Sequence, residues 1–318
     1  PGSSTGSSDG KIQNMKKKVL VVYKKDAYQQ YIQEQQDPHL LRLLRERHPD
    51  VRDMQEAHAV HEETMNGIVH AMRQLPVQFD LAYRADLKVT RRYDLVVTVG
   101  GDGTFLQAAR SVARTPILGV NADPARSEAV FCAASRATFA RMCRAALEGR
   151  LPELRLYRLR LSLNGVWLPH RALNDVLVVH DDPATMSRYR IQIGARRETQ
   201  KSSGLWIATA AGSSSAVLAA GGVRLPWNAR RFQYRPRELY HGRLTHPRLT
   251  GSALTPQTSV RVTWLMRKGC AFIDGPHVKI ALQFADQLDI RLSVSDPISV
   301  LGLSKTQHPQ AIRPGGAV

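Results

Sequence analysis

A single aspartate lies among three glycines in the segment GGDGT, and these residue types suit the transfer of a phosphoryl group. Glycine allows positive φ and leaves backbone amides open to phosphate oxygens. A helical pattern follows, so the positive end of a helix would point at the same place. The aspartate could then orient or deprotonate an attacking hydroxyl, or hold magnesium. A plain hairpin turn is the structural alternative. The residues are Gly100, Gly101, Asp102, Gly103 and Thr104.

A second run of small residues, 208–222, follows an apolar strand pattern and reads ATAAGSSSAVLAAGG. Its hydroxyl groups and open amides predict contacts with phosphate, ribose or the edge of adenine. The spacing G-x-S-x-A at 212–216 also approximates the nucleophile elbow of α/β-hydrolases, with Asp274 and His277 downstream. Those two residues lie only three apart and the elbow ends in alanine, so the hydrolase is the weaker interpretation. The serines are Ser213, Ser214 and Ser215.

Candidate metal ligands are few. Residues 180–182 read His-Asp-Asp, but adjacent side chains on a strand point to opposite faces, so we predict a solvent-exposed turn and no metal held by protein ligands. The three cysteines lack C-x-x-C spacing, which argues against a structural zinc site and against a disulfide framework. We therefore expect a reducing, cytoplasm-like compartment. The cysteines are Cys132, Cys143 and Cys270.

The charge of the chain favours an anionic partner. Its 318 residues include 45 Lys and Arg against 27 Asp and Glu, a net charge of +18. The basic residues are scattered and match no nucleic-acid module, so we predict a small phosphorylated ligand and no nucleic acid. Apolar residues make up 43% and charged residues 23%, which indicates a globular chain.

The chain shows no membrane signal by sequence. Its long uncharged stretch, 204–223, is too rich in Gly, Ser and Thr for a membrane span, so no membrane partner is predicted. Residues 1–14 form a Gly/Ser-rich run typical of an expression vector, and we expect them to be disordered, with Met15 beginning the natural chain. Residues 311–318 are expected to form a loose tail.

The elements that must position GGDGT follow from hydrophobic periodicity. Apolar runs in the first half are typical of buried parallel strands, and helical spacing recurs between them. The unit around GGDGT is therefore strand, glycine-rich turn, helix. The predicted strands are 19–23, 94–100 and 116–120, and the predicted helices are 62–75, 104–113 and 137–148.

The second half has a different texture. Short alternating runs separated by turn residues predict a mostly β structure. We therefore predict an α/β domain with a parallel sheet over 15–150 and a β-rich domain over 151–295. The predicted β runs are 158–163, 173–179, 189–194, 205–209, 259–265, 271–273, 278–281 and 288–293.

Four segments occur in the order VGGDGT at 99–104, ALND at 172–175, TAAGSSSAVLAAGG at 209–222 and IDG at 273–275. Together, in this order, they resemble the NAD kinase family. GGDGT alone would also suit lipid kinases and phosphofructokinases. Within the family the chain is most similar to the plant-type branch that includes NADH kinases, through GVNADP at 119–124, Ser187, Arg188 and SSGL at 202–205.

The resemblance implies roles for individual residues. Asp102 would accept the proton of the adenosine 2′-hydroxyl, Asn174 would contact adenine, and Asp175 would contact the nicotinamide-side ribose. Residues 211–216 would line the adenine and the diphosphate, and 296–310 would return to the first domain. The implied nucleotide-binding residues are Gly100, Gly101, Gly103, Thr104, Asn121, Asn174, Asp175, Arg188, Ala211, Gly212, Ser213, Ser214, Ser215, Ala216 and Asp274.

The implied reaction transfers the γ-phosphate of ATP to NAD⁺ or NADH, giving NADP⁺ or NADPH, with Mg²⁺ accompanying the ATP. Polyphosphate is an alternative donor, and a homodimer or homotetramer is expected. Two departures from the family pattern leave the redox form of the acceptor open: Ala216 replaces a tyrosine, and Ser203 replaces an aspartate. A dinucleotide-binding regulatory homologue without turnover and a lipid kinase are the alternatives.

Overall fold

The computed structural model describes residues 16–87, 92–243 and 245–304. The predictions for residues 1–14, for Met15, for the part 305–310 of the returning segment and for the tail 311–318 lie outside the described residues.

Four parallel strands form the first half of the chain, in the order β2-β1-β3-β4. The apolar runs of β1, β3 and β4 are buried because helices cover the sheet, and every residue of β3 is buried, whereas β2 at the edge has no buried residue. A short fifth strand extends the pairing beyond β4. The strands are β1 (Lys18–Tyr23), β2 (Gln78–Tyr83), β3 (Leu95–Gly100), β4 (Ile117–Asn121) and β5 (Cys132–Ser135).

The helices of this half differ from prediction mainly in length. The predicted helix 62–75 is the second half of α2, which begins at Pro49, a favourable first-turn position for proline. Helix α3 begins at Asp102 and not at residue 104. The helices are a π-helical segment Tyr28–Glu34, α1 (Pro38–Arg45), α2 (Pro49–Gln74), a 3₁₀ turn Arg84–Asp86, α3 (Asp102–Ser111) and α4 (Phe139–Leu147).

The second half consists of antiparallel strands in two packed sheets. One is a six-stranded sheet, ordered β13-β12-β11-β8-β15-β16, and the other continues the parallel sheet of the first half. The remaining elements are β6 (Glu153–Leu163), β7 (Val166–Ala172), β8 (Asp175–Val179), β9 (Ser187–Ile193), β10 (Arg196–Ser202), β11 (Leu205–Thr209), a 3₁₀ turn Ala211–Ser214, α5 (Ala216–Ala219), β12 (Phe232–Pro236), β13 (Ser252–Leu254), β14 (Val260–Trp264), β15 (Gly269–Ile273), β16 (Lys279–Leu282) and β17 (Gln287–Leu301).

The long strand β17 connects the two halves. It pairs antiparallel with β6 and β14, and at its end Val300 pairs parallel with Ile117 of β4. One core packs Ile207 and Val176 of the small sheet against Tyr189 and Trp264 of the large one. The predicted fold class, a parallel α/β half followed by a mostly β half, is confirmed.

The helices were compared with the length and apolar character of a membrane-spanning helix. Within residues 16–87, 92–243 and 245–304, none has both the length and the apolar character that a bilayer requires.

Candidate active site

The GGDGT segment is a strand-to-helix turn, and the hairpin alternative is wrong. Strand β3 ends at Gly100, Gly101 caps α3, and Asp102 lies in the first helical turn. The amides of Thr104 and Phe105 bond back to the carbonyl of Gly101. The amino end of α3 therefore leaves its first N–H groups and positive dipole beside the turn, which favours a bound anion.

The carboxylate of Asp102 is held by backbone amides. Oδ1 accepts a hydrogen bond from Phe131 N at 2.9 Å and Oδ2 accepts one from Val130 N at 3.1 Å. Each oxygen keeps a further acceptor site. Burial raises the pKa of Asp102 above its ordinary value and outweighs these two bonds. The side chain is thus oriented, and it is a stronger base than an exposed aspartate.

Sequence reasoning missed three neighbouring cationic side chains, Lys24, Arg84 and Arg110, of which Arg84 contacts the turn. Arg84 donates to Thr104 Oγ1 at 3.4 Å. Burial and the charge of Arg84 lower the pKa of Lys24. Burial also lowers the pKa of Arg110; the charge of Asp274 opposes that shift and the charge of Arg84 adds to it. Among the described residues none of these three cations has an ion pair with a carboxylate. Such a group favours a polyanion.

Their positions carry a signal that sequence reasoning could have used. Lys24 directly follows β1 and Arg84 directly follows β2. Ligands of open parallel sheets bind at the carboxyl ends of the strands, where GGDGT follows β3.

Asn121 ends β4 and is opposite Gly100 in register. Its side-chain amide donates to Ser127 O, and its Oδ1 accepts from Asp123 N. Its side chain therefore shapes the neighbouring turn.

A second group forms around the buried carboxylate of Asp274. Oδ2 accepts from Leu173 N at 2.9 Å, and Oδ1 accepts from Asn174 N at 2.7 Å and from Asp175 N at 3.1 Å. The residue itself adopts a φ of 47°, at the turn that leaves β15. Among the described residues no hydrogen bond joins this carboxylate to His277, and it holds three backbone amides instead, so no catalytic triad forms and the hydrolase interpretation is wrong.

Of this buried carboxylate pair, Asp175 holds a proton more readily than Asp274. Burial and the repulsion of Asp274 raise the pKa of Asp175 to about 7, while burial raises that of Asp274 to about 6 against three N–H bonds that favour its charge. The Ser215 hydroxyl lies 2.6 Å from Gly212 O and 3.0 Å from Asp175 Oδ2, so its one proton cannot serve both. If Asp175 is protonated, it can donate to Ser215 Oγ while Ser215 donates to Gly212 O. Asn174 Nδ2 also lies 3.0 Å from Asp175 Oδ2.

Asp175→Asn is expected to remove a pH dependence of stability. The pKa is about 7 in the folded chain and 3.8 without the fold, so the folded state keeps a proton that the unfolded state releases. Stability then falls as pH rises between these values, by roughly 1.4 kcal/mol per pH unit, and levels off above the folded pKa. Urea unfolding at pH 5 and pH 7.5 measures this. The free energy of unfolding of Asp175→Asn, relative to that of the parent chain, should increase as pH rises. The exposed control Asp53→Asn should show no such change. Parallel pH profiles for Asp175→Asn and the parent chain would contradict the assignment.

The serine-rich segment joins this second group at two points. The Ser215 hydroxyl contacts Asp175, and the amide of Thr209 donates to Asn174 O at 3.0 Å. Ser213 instead points inward: it is fully buried, donates to Ala210 O and accepts from Leu225 N. Ala211 is buried, Ser214 is half-buried and Ala216 is exposed.

Two predicted features lie elsewhere. Arg188 is exposed on β9 and lines a surface cavity of about 320 Å³ with Lys201, Tyr240 and His246. In the His-Asp-Asp run Asp181 pairs with Lys279, and the described part of the chain holds no group of three or more metal-ligating side chains. The structure therefore brings together GGDGT with Asn121, and Asn174-Asp175 with Asp274 and the serine-rich turn, but not Arg188.

Comparison with known proteins finds relatives over most of the chain. A probable NADH kinase of Oryza sativa subsp. japonica is 34% identical over 254 residues, covering 73% of this chain and 78% of the relative. The NADH kinase of Arabidopsis thaliana is 33% identical over 255 residues, covering 73% and 80%. The chain belongs to the NAD kinase family. The resemblance inferred from the motifs is thus confirmed.

Further comparisons agree with this assignment. Residues 11–144 of this NAD kinase family member match the family model of the ATP-NAD kinase N-terminal domain. An NAD kinase from Archaeoglobus fulgidus, solved in complex with ATP, superposes with a TM-score of 0.61 at 20% identity, over 89% of this chain and 92% of that one. Yeast NADH kinase, solved with NADH, gives 0.65 at 17% identity, over 93% and 86%. Both show that the fold is shared.

Proposed function

We propose that this chain is an NAD(H) kinase that transfers the γ-phosphate of ATP to the 2′-hydroxyl of the adenosine ribose of NAD⁺ or NADH. The observation that carries the proposal is the Asp102 carboxylate, which backbone amides orient at the amino end of α3 while each oxygen keeps a free acceptor site. Family membership supports the same reaction.

The phosphate donor is assigned to the GGDGT side of the site. The open amides of α3 and the cations Lys24 and Arg84 offer a polyanion both hydrogen bonds and charge. These contacts do not read a base, so polyphosphate is a second donor to be tested. The relative solved in complex with ATP supports a nucleotide donor.

The dinucleotide is assigned to the turn that contains Asn174 and Asp175, together with the serine-rich turn that contacts it. Asp274 holds three consecutive amides of the first turn, so its role is to shape the binding surface from within. Ser213 acts in the same way for the second turn, because its hydroxyl is fully used inside the protein. The relative solved with NADH supports a dinucleotide acceptor.

Chemistry in this site requires little beyond orientation. The 2′-oxygen forms a bond to the γ-phosphorus while the bond to the bridging oxygen breaks and ADP leaves. Asp102 accepts the hydroxyl proton and passes it to solvent. Its raised pKa favours that transfer, since a more basic carboxylate holds the proton better. A carboxylate fixed by two amides also costs little reorganisation as the proton moves.

Magnesium fits this site as a companion of ATP. The described residues contain no cluster of three or more metal-ligating side chains, and one carboxylate, Asp102, lies at the GGDGT turn. Mg²⁺ commonly keeps its waters and binds one or two carboxylates together with substrate phosphates, so one acidic side chain is enough. Bound there, it would neutralise charge on the phosphates.

A four-way assay tests the proposal. The purified chain is given NAD⁺ or NADH with ATP or polyphosphate, always with Mg²⁺, and NADP⁺ or NADPH is measured enzymatically. We expect product with ATP and at least one dinucleotide. Dinucleotide binding without product in any combination would instead favour the regulatory homologue, and phosphorylation of diacylglycerol or a sphingoid base would favour the lipid kinase.

The proposal extends to the oligomeric state of the chain and to the compartment in which it works. We expect a homodimer or homotetramer, which light scattering of the purified chain at assay concentration measures. All three cysteines are free, in agreement with a reducing, cytoplasm-like compartment.

A further inference from the structure

Arg110 spans the two parts of the candidate site. It lies near the end of α3, the helix whose first turn holds Asp102. Its Nη1 donates to Ile273 O at 2.7 Å and lies 3.3 Å from Asp274 O. The side chain is half-buried, and burial lowers its pKa while the charge of Asp274 opposes that shift. The helix of the phosphate side is therefore bonded to the turn that leaves β15.

That turn is the one that shapes the dinucleotide side. The carboxylate of Asp274 accepts the amides of Leu173, Asn174 and Asp175, and its own amide donates to Asp175 O at 3.0 Å. A shift of the backbone at Asp274 would move these hydrogen bonds together. Arg110 therefore contacts the residue whose carboxylate holds the amides of Leu173, Asn174 and Asp175.

The position of α3 itself does not depend on Arg110. Arg158, which is fully buried on β6, donates to Ala109 O at 2.9 Å and to Val112 O at 2.8 Å. Its other Nη lies 3.1 Å from Asp296 Oδ2 on β17. A cation at these last carbonyls also complements the helix dipole. Removing the Arg110 side chain should therefore leave α3 in place and release only the Asp274 turn.

We infer that Arg110 is a positioning residue, which sets the distance between the dinucleotide's 2′-hydroxyl and Asp102 by tying the Asp274 turn to α3. The inference rests on the proposed function. An acceptor displaced by about 1 Å can lose roughly 10²-fold in rate although it still binds, since turnover needs the reacting atoms in line and binding does not. Arg110 acts through Asp274 and touches neither reacting atom.

The test compares Arg110→Ala, Arg110→Lys and the control Arg114→Ala, which removes an exposed arginine just beyond α3. Turnover is expressed per mole of protein that is folded by urea titration. We expect kcat of Arg110→Ala to fall roughly 10- to 100-fold, with a much smaller change in the Kd for NADH. Arg110→Lys should recover part of kcat because its ammonium can still donate to Ile273 O.

Hydrogen exchange gives a readout that needs no activity. The amides of Asn174 and Asp175 should exchange faster in Arg110→Ala than in the parent chain, and the control should not differ. Unchanged exchange, or a kcat equal to that of Arg114→Ala, would overturn the inference. The inference would also be overturned if the loss of kcat in Arg110→Ala were fully explained by the fraction of unfolded protein. If the parent chain makes no NADP(H), the proposed function fails, and exchange alone then decides the role of Arg110.

Discussion

Asp102→Asn is expected to lower kcat by roughly 10³-fold, the range expected for loss of a general base. The amide cannot take up the proton of the 2′-hydroxyl, whereas its size matches that of the carboxylate. The folded state should lose about 1 kcal/mol or somewhat more, because one of the amides of Val130 and Phe131 then faces an NH₂ group. Initial-rate assays and urea unfolding of the same preparations separate the two effects.

The pH profile of kcat/KM provides a second measurement. Burial raises the pKa of Asp102, so the acid limb in the parent chain should lie above the range of an exposed aspartate, with the rate rising as the carboxyl ionises. Asp102→Asn should lose that limb. Asp86→Asn, which changes an exposed carboxylate near Arg84, is the matched control and should keep both the rate and the limb. Retention of more than about a tenth of kcat in Asp102→Asn would rule out a general base.

Gly212→Ala is expected to cost about 10²-fold in kcat/KM for the dinucleotide, because it displaces the acceptor's binding surface. A Cβ built on Gly212 would overlap the carbonyl oxygen of Asn174 and lie 2.6 Å from its carbonyl carbon. Both atoms belong to the backbone, so no rotamer change relieves the contact. The serine-rich turn must then move away from Asn174 and Asp175, at a stability cost of about 1–3 kcal/mol.

Gly67→Ala makes the same chemical change where the neighbours can yield. A Cβ there meets only the flexible aliphatic carbons of Arg136 at 3.2 Å, and the position lies within α2. Alanine favours a helix over glycine by up to about 1 kcal/mol, so this variant should keep its activity and its stability. Dinucleotide titration by calorimetry and initial rates measure both variants. Equal kcat/KM in Gly212→Ala and the parent chain would show that the contact with Asn174 does not shape the site.

Local patterns predicted the parts of the fold that local physics determines. The buried strand before GGDGT and the helix after it follow from apolar periodicity and from glycine in the turn. The onset of α3 at Asp102 was not predicted, since glycines disfavour helix while the backbone bonds to Gly101 O override that preference. Strands such as β10, sequence RRETQKS, were missed because an exposed edge strand lacks apolar alternation.

The candidate site was predictable only where its residues are contiguous. Asp102 and the Asn174-Asp175 pair follow from motifs, and their roles stay predictions. Lys24, Arg84 and Arg110 come from separate elements, and nothing in their local sequence marks them as neighbours. Ser213 and Ser215 have the same side chain and lie two residues apart, yet one hydroxyl is used internally and the other reaches Asp175. The backbone conformation of the turn determines which of the two hydroxyl groups points into the protein.

The pairing of Val300 with Ile117 bears on how the chain folds. The parallel sheet cannot complete its contact with β17 until the far end of the described chain has been made, and α3 likewise has no partner for its last carbonyls until Arg158 of β6 arrives. During synthesis the β4 edge of the parallel sheet lacks its β17 partner until the second half has been made. Pairings between residues so far apart in sequence form slowly. A fragment that ends near residue 150 should therefore associate or be degraded instead of accumulating as a folded monomer.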